Sequence, residues 1–176
     1  MSIKQFKKDK AIVSISRESI DPNRIQGVIL GYSKELLLLN YIYDFKLDGL
    51  LILRRKDISK IVSSKTDKFQ KKLLIKEGVF DGIDFKNNYK LGSWHELFKD
   101  ASKRHEYFII ELEDQDNPEF YIGKIERINS KSIRFNYFTG IARWEDESCS
   151  IKLDRVTSCQ INNNYLNVYE RYFNGL

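Results

Sequence analysis

Residues 25–43, IQGVILGYSKELLLLNYIY, align without a gap on residues 121–139, YIGKIERINSKSIRFNYFT. Gly27 falls on Gly123, Ile29 on Ile125, Leu37 on Ile133, Leu39 on Phe135, and Asn40-Tyr41 on Asn136-Tyr137. Further along, RKDISKI (55–61) matches LDRVTSC (153–159), with Ile58 on Val156 and Ile61 on Cys159. The offset there is larger by two residues, so a loop of the second copy is longer. A chain that repeats at this interval builds one supersecondary unit twice.

Within each copy the apolar period is that of strands. AIVSIS and YFIIELE are β-branched and aromatic runs, and IDPNR and DQDNPE carry the Asp, Asn and Pro of turns. LLILRR and CSIKL read as further short strands. Leu36–Leu39 is a short continuous apolar run, as expected of a strand covered on both faces. Five short strands in about 50 residues predict a small barrel, which removes exposed edges. Helical spacing appears in DKFQKKLLIKEG, in SWHELFKDASKRH and in NNYLNVYERYFNG. In the second of these Ser93 and Glu96 stand at capping-box spacing, and Trp94, Leu97, Phe98 and Ala101 form one stripe. In the third the stripe is Tyr165, Leu166, Tyr169, Tyr172 and Phe173. The expected division is a first barrel with its C-terminal helix over 1–80, a connecting segment and helix over 81–105, and a second barrel with its helix over 106–176.

The pattern Gly27, Ile29, Gly31, Tyr32, Ser33, Leu36, Leu37 resembles the first signature of the Sm-like family, Gly-x-apolar-x-Gly-Phe-Asp-x-x-Met-Asn. Ile52-Leu53, Arg54, Arg55, Ile58 and Ile61 resemble its second. In the other copy Gly123, Ile125, Arg127, Ile128 and Asn129, then Ile151, Lys152, Leu153, Val156 and Cys159, take the same places. The resemblance implies a mainly β chain of two tandem five-stranded Sm-like (SH3-like) barrels with accessory helices. It also implies a base-binding pocket, which these residues lack. The Asp place holds Ser33 or Asn129 and the Asn place Leu37 or Ile133, and aliphatic side chains cannot read a base edge. Only the Arg place keeps its charge, as Arg54 or Lys152.

Charge is unevenly divided. Residues 1–90 hold 19 Lys and Arg against 11 Asp and Glu, and the remainder 11 against 14. A basic first half can attract nucleic acid or an acidic protein surface, but much of the excess lies in the termini and in KTDKFQKKLLIK, where it reads equally as a solvated helix face. No Cys-x-x-Cys, His-x-x-x-His, phosphate loop or nucleophile elbow occurs, and ELEDQDNPE lacks the spacing of a calcium loop. His95 and His105 stand alone. These absences lead to the expectation of no enzyme activity, no cofactor and no metal. Cys149 and Cys159 read as reduced thiols of a cytoplasmic protein without a signal peptide or a membrane partner. The expected function is binding through protein contacts, as an adaptor or immunity-type inhibitor, with Trp144 in an exposed recognition loop. The alternative is RNA binding on a basic surface of Arg54, Arg55 and Lys56, with Lys152 and Tyr32 as further candidates. A third expectation, from the resemblance, is homo-oligomer formation through barrel edges.

Overall fold

The computed structural model describes residues 2–86, 88–114 and 116–175. The first half runs α1 (Ile3–Lys8), β1 (Ile12–Arg17), β2 (Asp21–Tyr32), β3 (Leu36–Tyr43), β4 (Lys46–Arg54), a 3-10 turn (Arg55–Asp57), β5 (Lys60–Val62) and α2 (Lys65–Lys76). After a second 3-10 turn (Val79–Gly82), the order repeats as α3 (Trp94–Ala101), β6 (Tyr107–Leu112), β7 (Glu119–Ile128), β8 (Ser132–Tyr137), β9 (Cys149–Lys152), a 3-10 turn (Leu153–Arg155), β10 (Ser158–Ile161) and α4 (Asn164–Phe173). The helix expected in the connecting segment is thus the counterpart of α1, a short helix that the basic N-terminal run conceals. Each helix starts where a side chain caps it. Ser2, Ser64, Ser93 and Asn163 each accept from the backbone N–H three residues on.

The repeat extends to register. In the β2–β3 hairpin a bulge separates Ile29 from Gly31, and in the β7–β8 hairpin one separates Ile125 from Arg127. The turns close with Ser33 N–H on Leu36 O and Asn129 N–H on Ser132 O, both at 2.8 Å. Gly27 and Gly123 face the Asn40 and Asn136 carbonyls so closely that a Cβ at either place would collide. That close approach is what glycine supplies in a strand interior.

The chain is mainly β, but its strands do not form two separate closed barrels. One antiparallel sheet runs β5-β1-β2-β3-β4-β10-β6-β7-β8-β9, and the sheet is not closed. The reason lies at the junction. β4 pairs on its outer side with β10, from Leu53 opposite Ser158 to Leu50 opposite Ile161. Each half therefore contributes the same order of five strands, joined edge to edge.

Leu36–Leu39 is covered on both faces, as the sequence predicts. Leu36 and Leu38 enter a large core with Ile52, Phe98, Phe108, Ile110 and Cys159, which spans both halves. Leu37 and Leu39 enter a second core, with Phe6, Val13, Ile15 and Leu53. A third core joins Tyr107, Ile109, Ile122 and Phe138 to Leu166 of α4. On α3 all four stripe residues are buried. On α4 only Leu166 is, and Tyr165 and Tyr172 are exposed.

Candidate binding cleft at the junction of the two halves

The β4–β10 ladder brings the loops at one end of both halves together. They enclose a cleft of about 1000 Å³. One wall is the first half: Lys34 and Glu35 of the β2–β3 turn, and Arg54, Arg55 and Lys56 at the end of β4. The other wall is Ser130, Leu153 and Asp154 of the second half. The start of α3, Gly92 to His95, closes it, and Leu36, Trp94 and Leu153 supply apolar surface.

Arg54 sits at the cleft yet is 7% exposed. Its Nε donates to Asp57 at 2.7 Å, its Nη1 to the Asp154 carbonyl at 2.9 Å, and its Nη2 to Asp57 and Asp114. Burial pulls its pKa down, but the two carboxylates more than offset that and hold it above the ordinary value. Arg54 is therefore a clamp between the halves and is not available to a phosphate. A parallel clamp joins Arg17 to Glu113 through two hydrogen bonds, at 2.6 and 2.8 Å. Next to it, burial raises the pKa of the Glu111 carboxyl, although the Ser158 hydroxyl donates to it.

The other candidates are scattered. Arg55 donates to the Ser33 carbonyl while lining the cleft. Lys56 is exposed on the rim, and among the described residues neither it nor Lys34 is in an ion pair. Tyr32 is 38% exposed at the end of β2. Lys152 is exposed at the end of β9. Trp144 is half-buried, not a free loop tip. Its ring lies 5.1 Å from both Phe138 and Phe173, and Lys124 lies over it at 5.5 Å. It belongs to the packing of α4 on the second half.

Ser33 donates to the Leu91 carbonyl and accepts from the N–H groups of Glu35 and Leu36. Leu37 is fully buried. Neither side chain is presented to a base. Cys149 and Cys159 are free thiols, and β9 and β10 are not neighbours in the sheet. His105 bonds the Tyr89 hydroxyl through Nε2 at 2.6 Å, outside the cleft. Among the described residues no group of His, Cys, Asp and Glu is arranged to hold a metal ion, and no helix is long and apolar enough to cross a membrane. The acidic stretch 111–119 includes Gln115, which lies outside the described residues.

Sequence reasoning missed Trp94 as a cleft residue, because its place in the α3 stripe marks it as core. It is core, 7% exposed and stacked on Phe98. Its indole N–H is nevertheless buried with no acceptor among the described residues. Such a donor costs roughly 1–3 kcal/mol while unpaired. Comparison with family models, with curated proteins and with solved structures finds no match to this chain.

Proposed function

We propose that the chain is a non-catalytic binding protein of the cytoplasm that takes an acidic segment of a partner protein in the cleft between its halves. The observation that carries this reading is the composition of that cleft. Lys34, Arg55 and Lys56 outnumber Glu35 on one rim, and Leu36, Trp94 and Leu153 offer apolar contact below. Desolvated aromatic and aliphatic anchors inside a charged rim are the usual arrangement of protein recognition. The unpaired Trp94 donor gains an acceptor if a carboxylate or carbonyl reaches it. Asp154 on the opposite wall adds a repulsive element that favours one orientation of the segment. The free thiols fit a reducing compartment.

Peptide display tests it directly. Selection on the wild-type chain is expected to enrich sequences that place Asp or Glu beside an aromatic or aliphatic residue. Their affinity is expected to fall at least about tenfold with Lys34→Glu plus Lys56→Glu. Selection without enrichment, or enrichment indifferent to both charges, defeats the reading.

RNA is the second reading, and Lys34, Arg55 and Lys56 on one rim favour it. It predicts that fluorescence anisotropy of short RNAs loses on the order of 100-fold in affinity between about 50 and 200 mM salt. A flat signal at both salts removes it. We also read each half as an Sm-like unit that curls without closing, on the strength of the matched bulges, glycines and turn bonds. Among the described residues β5 and β9 each have one unpaired edge, and these edges correspond to the ones that β10 and β4 join inside the chain. That correspondence favours edge-to-edge self-association, which predicts a solution mass several times that of one chain.

A further inference from the structure

We propose that the outward face of α2 docks on an anionic lipid bilayer, a second contact independent of the cleft. Lys65, Lys68, Lys72 and Lys76 are all exposed and fall at three- and four-residue steps along this helix, so they form one ridge. Two apolar side chains edge the ridge and face solvent, Phe69 at 61% and Ile75 at 50% exposure. No carboxylate lies on it. Asp67, the acid of α2, is buried and occupied by the Ser64 N–H, Ser14 and Gln26. Among the described residues none of the four lysines is in an ion pair.

The charge extends beyond the helix. Lys71 reaches the Asp9 carbonyl at 3.0 Å, which sets the end of α1, with Lys7, Lys8 and Lys10, beside α2. Lys10 and Lys71 lie over the neighbouring rings of Phe85 and Phe80. Burial lowers the pKa of the Lys71 ammonium; Asp9 opposes this, and Lys10 adds to it by like-charge repulsion. An anion placed against this surface relieves that repulsion.

The repeat supplies an internal control. α4 occupies the same position in the second half, and with Ser64 and Asn163 aligned as caps its residues Asn164, Asn167 and Val168 correspond to Lys65, Lys68 and Phe69. α4 contains no lysine, and its one cation, Arg171, stands at the Lys72 place. The fold therefore does not require a lysine ridge here. The ridge uses lysine without arginine, a compact hydrated charge that suits many headgroups rather than one bidentate partner. Exposed Ile75 beside it, an aliphatic side chain with no ring to stack on a base, favours an acyl boundary over nucleic acid, whereas Phe69 serves either. The proposal departs from the expectation that no membrane takes part, for a peripheral contact only, with no span implied.

Sedimentation with vesicles of phosphatidylcholine, with and without about one-third phosphatidylserine, tests the proposal on the whole chain. Partition onto the anionic vesicles only, weakening as salt rises, is expected. Lys68→Gln plus Lys72→Gln is expected to lower the partition coefficient about 30-fold, and Phe69→Ser plus Ile75→Ser about tenfold. All four positions are exposed, so circular dichroism is expected to show both variants folded. No partition onto anionic vesicles at low salt overturns the proposal. So does partition that both variants retain unchanged, or short RNA binding this ridge while vesicles do not.

Discussion

Arg54 and Lys56 belong to one basic run, and only the three-dimensional environment separates their roles. Arg54 is buried with Asp57 and Asp114, while Lys56 is exposed and without an ion pair among the described residues. Removing one partner of a buried ion pair leaves the other charge uncompensated, at about 3–5 kcal/mol. Arg54→Ala is therefore expected to lower the unfolding free energy from urea denaturation by about that amount, and Lys56→Ala to change it by less than about 0.5 kcal/mol. Equal effects on stability refute the distinction. A second residue couples stability to pH. Burial, aided by the Arg104 charge, lowers the pKa of His105 below 6.5. The folded state then binds this proton less readily than the unfolded chain. Its contribution is full above pH 6.5 and is lost as pH falls from there through the folded-state value. Glu111 acts with the opposite sign, since its raised pKa weakens the fold as pH rises through the window above 4.5. Comparing unfolding free energies of wild type and His105→Gln at pH 7.5 and 5.5 isolates the histidine. The wild type is expected to lose more on acidification, and identical slopes exclude the effect.

At the scale of elements, most of the fold was legible because its signals are local. Glycine spacing, the Leu36–Leu39 run and the α3 stripe each report a burial pattern within a few residues. α2 adds a device that local pattern hides. Its capping box joins Ser64 and Asp67, and the Asp67 carboxylate also accepts from Ser14 of β1 and Gln26 of β2. Burial alone raises the pKa of Asp67, but these hydrogen bonds outweigh it and lower the pKa below 3.8. Asp67→Ala removes the cap and leaves the half-buried Ser14 and Gln26 without their acceptor, and is expected to cost roughly 1–2 kcal/mol. A loss of under about 0.5 kcal/mol in chemical denaturation contradicts this. The binding cleft was legible only in part. Arg54, Arg55 and Lys56 stand out by charge, whereas Trp94 reads as core and Leu153 and Asp154 reach the cleft through a pairing about 100 residues away in sequence. Non-local ladders leave no periodic mark, which is why barrel closure was expected where β4 instead meets β10.

That pairing decides how the whole molecule behaves. If each half closed on itself, the chain would have two cores and could unfold in two steps. Instead, beside a smaller core within each half, one shared core draws Leu50 and Ile52 from β4, Cys159 and Ile161 from β10, and the α3 stripe into a single cluster. Arg54 and Arg17 each tie one half to the other. Asp48 of the first half caps Asn164, at the start of α4, through a 2.8 Å bond. Separating the halves exposes this shared apolar surface, so neither is expected to persist alone. Urea unfolding is therefore expected to give coincident transitions by tryptophan fluorescence and by far-ultraviolet circular dichroism. Both tryptophans, Trp94 and Trp144, lie beyond the first half, whereas circular dichroism reports all of the chain. A first half that melted independently would separate the two curves. Cutting the chain in the segment between Gly82, at the end of the second 3-10 turn, and α3 sharpens the test: fragments 1–88 and 89–176 are expected to be unfolded singly and to recover structure when mixed. A cooperative transition in either isolated fragment shows that the edge-to-edge junction is an accessory to the fold and not its centre.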